Sequence, residues 1–248
     1  GFEVVRTWQI EVRPAQSEES HDVVALLSPG ESFALDRSLI DDYYPDTASV
    51  SAVIAASRSF NVPGLLTSLD RYPYGCLEQT VSRAMPLLYF NDLLLMSGGD
   101  RDEALRGRVQ NAVERVVDMQ NPSGAFGMWG PYDFDANEWL SVFAFDFLTR
   151  ARERDYVVPT DAIVRGTDWL KRLAGQSWQD TWARAYAYFV LAREGALSPG
   201  DLRYFADEEI YDVENPMSAA HIGAALMQIG DRSRANVAFD RAAMFFEE

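Results

Sequence analysis

The chain has 248 residues, 48% of them apolar and 12% aromatic, enough to bury a sizeable core in one or two domains. Its 38 acidic residues outnumber 22 basic ones, a net charge of −16 at pH 7, which argues against nucleic acid or an anionic membrane as a direct partner, since both need a basic patch. One cysteine excludes an internal disulfide, and there is no signal peptide and no membrane-spanning apolar run.

Taken in order, residues 2–13 are rich in β-branched and aromatic side chains and alternate at period two from Val4 onward, which reads as a strand. Pro14 to Asp22 is polar and acidic, a loop. Val23 to Leu27 is a short apolar run stopped by Ser28-Pro29-Gly30, a second strand and its turn. Ser49 to Ser59 alternates again and reads as a third. Three strands are too few to close a sheet of their own. The abrupt start in strand-like sequence and the end in helix-like sequence read as a piece of a larger protein.

From Asn61 the period becomes helical. Leu65 to Leu69 is a short helix, and Cys76 to Met96 a long amphipathic one with Pro86 inside it, where a kink is expected because proline lacks the N–H and clashes with the preceding turn. Gly98-Gly99 stops it. Asp100 is placed to cap Arg101 to Gln120, striped by Leu105, Val109, Ala112, Val113 and Val116. Asn121 to Asp135 is a loop rich in Gly and Pro. Further helices are expected over Asn137 to Arg154, Asp161 to Ala174 with Thr160 as cap, and Asp180 to Glu194. Ser198-Pro199 and Asn215-Pro216 each open another, with proline at the first helical position, and Asp231 starts the last. The helices recur in pairs every 40–50 residues or so. Gly124-Ala125-Phe126-Gly127-Met128-Trp129 before Trp139 to Phe145 resembles the loop-and-helix signature of α/α toroids, and Gln176-Ser177-Trp178 before Trp182 to Tyr188 is a half-echo of it.

The chemistry centres on Tyr72-Pro73-Tyr74-Gly75-Cys76-Leu77-Glu78-Gln79. Positions three apart on a helix are neighbours, so the Cys76 sulfur and the Gln79 side-chain carbonyl lie within reach of each other at the start of the helix. Loss of ammonia between them leaves an internal thioester. A bare Cys-x-x-Gln carries no signal, but the eight-residue run, continued by Thr80-Val81-Ser82-Arg83, resembles the thioester motif of the bacterial alpha-2-macroglobulins. It departs from the vertebrate relatives, complement factors included, at Leu77, where those have glycine.

That resemblance implies a mainly α fold. Residues 61–248 would form a thioester domain, an α/α toroid that is incomplete within this chain. Residues 1–60 would belong to a β-sandwich (CUB-like) domain into which the toroid is inserted. It implies a broad-spectrum protease inhibitor that captures proteases covalently through their lysine amines. Its thioester is a Cys76–Gln79 cross-link rather than a bound cofactor, and each molecule reacts once. The remaining domains of the same polypeptide, the bait segment among them, would be its other partners. The family's bacterial members are periplasmic, commonly lipid-anchored.

A thioester must be kept dry and away from stray amines. Tyr72, Tyr74, Met128 and Trp129 are the candidate shields, Gly75 permits close backbone approach, and Glu78 sits where the family has a glutamate. A cysteine at a helix N-terminus faces free backbone N–H groups, which stabilise a leaving thiolate and can hold an oxyanion. Complement-type relatives relay the acyl group through a loop histidine. Here His21 lies in the acidic N-terminal loop and His221 inside a helix as an ordinary core or surface residue, so direct attack by primary amines is implied. Two other classes stay open. Asp133, Asp135 and Glu138 near the Trp129 loop are candidates for a toroid glycoside hydrolase, against solvated capping acids. A scaffold with a merely buried Cys76 is the third. One Cys and two distant His make no metal site, and no phosphate-binding glycine loop or Ser-His-Asp arrangement stands out.

Overall fold

The structure, a computed structural model, describes residues 8, 19, 21, 23–44, 47, 48, 50, 52, 54, 75–92, 103–133, 137–176 and 181–246. The chain divides into two compact units, Gly1–Ile54 and Ala55–Glu248.

Among the described residues of the first unit, a 3-10 turn, Arg37–Leu39, is opened by Asp36, whose carboxylate accepts from Ser38 N at 2.9 Å. Val23 to Leu27, expected as a strand, carries no strand pairing and is exposed throughout. A strand exists only against a partner, and most of the other two alternating segments lies outside the described residues. Among the described residues the one β-feature is an isolated bridge between Gln120 and Phe126.

The second unit is helical: α1 (Leu77–Leu87), α2 (Leu105–Asp118), α3 (Glu138–Glu153), α4 (Thr160–Ala174), α5 (Thr181–Arg193), α6 (Pro199–Tyr204), α7 (Pro216–Gln228) and α8 (Arg232–Met244). Between α6 and α7 the chain winds through a π turn at Phe205–Glu209 and a 3-10 turn at Ile210–Asp212. Helices α1, α3, α5 and α7 pack on one another in succession, and α2, α4, α6 and α8 each pack against that row from outside. This alternation of inner and outer helices is the α/α toroid. None of the described helices is long and apolar enough to cross a membrane.

The two layers differ in composition for a physical reason. An outer helix meets protein on one side only, so α2 and α4 keep an apolar stripe (Leu105, Val109, Val113, Val116; Ile163, Leu170, Leu173) and a charged face. An inner helix is covered on several sides. In α3, ten of sixteen residues are buried, including Phe145, Phe147 and Leu148, and in α5 the run Ala183 to Tyr188 is buried without a break. Small residues let these helices approach. At Gly166 of α4 an added Cβ would lie 2.2 Å from Cε2 of Phe145, so the ring of α3 occupies the place of the missing side chain.

Several helix boundaries follow from local chemistry. Asn137, Asn215 and Asp231 each accept a backbone N–H three residues on, at 2.9, 2.8 and 3.5 Å. Thr160 is not a cap: Pro159 holds that position, and Thr160 is the first helical residue. The helix expected from Arg101 starts at Leu105, with Ala104 in the cap position, and Asp100 lies outside the described residues. Pro86 lies inside α1 and interrupts the long helix expected over Cys76 to Met96. Regular α-helix stops at Leu87, Tyr89 N bonds back to Pro86 O at 3.1 Å in a tightened turn, and residues 90–92 are helical again.

Candidate functional site

Cys76 is the N-cap of α1, in extended conformation at φ −68° and ψ 166°. Its Sγ accepts from Gln79 N at 3.5 Å, and Gln79 Oε1 accepts from Cys76 N at 3.4 Å. This is a capping box with a thiol in place of the usual hydroxyl. Its consequence is chemical as well as structural. Satisfying the open N–H groups of the first turn folds the thiol and the carboxamide over the same backbone. Cys76 is buried, with 7% of its surface exposed, and its carbonyl accepts from Thr80 Oγ1 at 2.9 Å. Leu77, Val81 and Ala84 root the helix in the core behind it.

Two further elements grip the backbone on either side of the cysteine. From α2, Arg115 donates to Gly75 O through Nη2 at 2.5 Å and Nε at 3.1 Å. From the loop after α2, Met128 O accepts from Leu77 N at 2.9 Å. That loop is itself pinned. Gly127 N donates to Met119 O at 3.0 Å, Phe126 N to Ser141 Oγ at 3.1 Å, and Met128 N to the Asp133 carboxylate at 3.1 Å. Buried Gln120 ties it to α4, donating to Ala162 O at 3.0 Å and accepting from Arg165 at 2.9 Å.

The residues expected at the site divide accordingly. Cys76 and Gln79 share one turn, and Gly75 adjoins them. An added Cβ at Gly75 would lie 2.1 Å from Arg115 Nη2, so this glycine makes room for a guanidinium. Glu78 is exposed and accepts from Ser82 Oγ at 2.7 Å, one turn along the helix rather than at its cap. Met128 reaches the turn through its main chain. Trp129, expected as a shield, stands at the loop tip with 74% of its surface exposed, because the chain reverses there with Asp133 N bonded to Gly130 O at 3.2 Å. Tyr72, Tyr74 and Asp135 lie outside the described residues. Asp133 uses its carboxylate on the Met128 amide, and Glu138 is the first residue of α3. His21 is exposed in the first unit.

His221 is not a satisfied histidine. Its Nδ1 is buried without a hydrogen-bond partner, and its ring stacks on Tyr186 and Phe189 at 4.6 and 5.3 Å. Burial lowers its pKa to about 4, against a smaller opposing pull from Asp146.

Sequence reasoning missed two groups. Arg115 is forty positions from Gly75, and no spacing rule links them. Asp146 is fully enclosed in α3, where it accepts from Arg150 at 2.9 Å, from Tyr186 Oη at 2.7 Å and from Arg193. A carboxylate inside Phe145-Asp146-Phe147 was the available signal for the second.

Comparison with known proteins bears on the same segment. The A-macroglobulin TED domain family matches residues 48–202. The chain is 32% identical to alpha-2-macroglobulin of Escherichia coli K12 over 244 residues, which covers 92% of this chain and 15% of that protein. It therefore spans about a seventh of that relative's length. Among solved structures, Salmonella alpha-2-macroglobulin reacted with methylamine is 35% identical with a TM-score of 0.66, covering 74% of this chain and 13% of that one. Trypsin-activated alpha-2-macroglobulin from E. coli is 35% identical with a TM-score of 0.63, covering 69% and 13%. With the paired helices, the capped Cys76–Gln79 turn and a family match over most of its length, the chain belongs to the A-macroglobulin TED domain family.

Proposed function

We propose that this chain is the thioester-bearing part of an alpha-2-macroglobulin-type protease inhibitor. The observation that carries the reading is the reciprocal capping box, which brings the thiol and the carboxamide of the motif onto one helical turn with the sulfur buried. Cys76 Sγ attacks Gln79 Cδ, the carboxamide nitrogen departs as ammonia, and the acyl group is stored as a thioester. A protease cuts a bait segment elsewhere in the polypeptide, and the rearrangement bares this site. A lysine amine of the protease then adds to Gln79 Cδ, an amide forms, and Cys76 leaves as a thiolate that takes up the proton. One molecule captures once, so the protein is a covalent trap and not a turnover enzyme.

The bacterial relatives support this reading, and so do the activation of one of them by trypsin and the reaction of another with methylamine. The proposed compartment is the periplasm, where an inhibitor meets foreign proteases. The glycoside hydrolase alternative loses support, because Asp133 is committed to a loop amide.

The test is intact mass with thiol titration. Freshly purified protein should be lighter than its sequence by one ammonia and show no titratable thiol. Methylamine should add its own mass and release one thiol. Full sequence mass with a freely titrating Cys76 would overturn the proposal.

A further inference from the structure

The Gly75–Cys76 peptide is held at both ends. Its carbonyl oxygen, on Gly75, accepts two hydrogen bonds from the Arg115 guanidinium, at 2.5 and 3.1 Å. Its N–H, on Cys76, lies 3.4 Å from Gln79 Oε1. Charge-assisted hydrogen bonds at a carbonyl are short and strong, and bonds in a chain polarise one another. A guanidinium pulling electron density toward Gly75 O makes the amide N–H at the other end a better donor. Resting on the thioester reading above, we infer that Arg115 is a positioning residue of the acyl site: it fixes and polarises the Gly75–Cys76 peptide so that Cys76 N–H stabilises negative charge on Gln79 Oε1.

The step at stake is addition to Gln79 Cδ. The amine lone pair forms the new C–N bond, and the carbonyl π electrons move onto Oε1. The oxyanion then collapses and expels Cys76 Sγ, while the proton from the amine ends on the thiolate. Hydrogen bonds aimed at the developing oxyanion act on the transition state more than on the ground state. Leu77 N–H is committed to Met128 O, and Gln79 N–H to the sulfur itself. The Cys76 amide is the donor bonded to the acyl oxygen, with Arg115 behind it.

Two independent features support the assignment. Arg115 makes no ion pair among the described residues, in a chain with 38 acidic residues, and directs two hydrogen bonds at one carbonyl instead. In addition, a Cβ on Gly75 would overlap the guanidinium, 2.1 Å from Nη2 and 2.4 Å from Cζ. The close approach of Arg115 leaves no room for a side chain at this position.

The experiment uses the whole protein with methylamine as the probe. Wild type is first shown to lack one ammonia by mass. If it does not, the thioester reading itself fails, before Arg115 is tested. Then Arg115→Gln, Gly75→Ala and the double variant are compared for the second-order rate constant of thiol release, with a denaturation midpoint for each. Each single variant is expected to slow release by about tenfold or more, below the 10²–10³ typical of deleting a direct oxyanion donor. The double variant should be no slower than the slower single one, since both remove the same contact. Loss of the ammonia deficit in a variant with an unchanged midpoint would support the same role, because thioester formation passes through the same oxyanion. Wild-type rate constants in Arg115→Gln, or slowing that merely tracks a lowered midpoint, would overturn it.

Discussion

The ring of Tyr186 lies on the imidazole of His221, centroids 4.6 Å apart and planes within 6° of parallel, while the Tyr186 hydroxyl donates to Asp146 at 2.7 Å. One tyrosine thus joins α7 to a buried carboxylate on α3. His221 is the apolar end of this arrangement, a neutral imidazole with no partner for Nδ1.

This gives a pH dependence with a definite sign. The folded pKa of His221 is about 4 against 6.5 for a free histidine, so the unfolded chain binds the proton more tightly. The contribution of neutral His221 is intact above about pH 6.5 and is lost as pH falls through about 4. At about 1.4 kcal/mol per pKa unit the loss amounts to about 3 kcal/mol. Replacing His221 by Phe should flatten the urea-unfolding free energy between pH 6.5 and 4 relative to wild type. An unchanged slope would show that His221 does not set the acid limb.

Asp146 is the charged end. Arg150 and Arg193 surround it, and both are largely enclosed. Removing Asp146 leaves Arg150 without its carboxylate, while Arg193 keeps Glu153 and Glu194, so Asp146→Ala should cost about 3 kcal/mol, measured by chemical denaturation. Tyr186→Phe removes only a neutral donor and should cost about 1–2 kcal/mol.

The contact between Gly166 and Phe145 tests the layer packing. Gly166→Ala places a methyl group where the ring already lies, and should destabilise by about 1–3 kcal/mol despite alanine's better helix propensity. A gain in stability would mean that α4 shifts away from α3 freely.

At the motif, the capping role and the chemical role of Gln79 separate. Gln79→Glu keeps a side chain suited to the third position of a capping box, so the thermal midpoint should stay within a few degrees of wild type. It removes the carboxamide, and methylamine incorporation should disappear. Cys76→Ala should abolish incorporation too and also weaken the start of α1 by about 1 kcal/mol.

The loop acids give the opposite outcome. Asp133→Ala removes one hydrogen bond to Met128 N and should cost about 1–2 kcal/mol, yet one methylamine should still be incorporated per molecule. Loss of incorporation with the fold intact would give Asp133 a part in the chemistry.

The sequence by itself determined the features that short-range physics controls. Helical periodicity marked the paired helices, Asn215 and Asp231 marked where two of them start, and the spacing of Cys76 and Gln79 set both on one turn, because neighbours in a helix are neighbours in the chain. Tertiary structure decided what lies beside that turn. Arg115 meets Gly75 across forty residues, Met128 offers its carbonyl rather than its side chain, and Trp129 faces solvent. Asp146 finds Arg193 across forty-seven residues. Such pairings depend on how inner and outer helices stack. Periodicity records which face of a helix is apolar and leaves open which neighbour that face will meet.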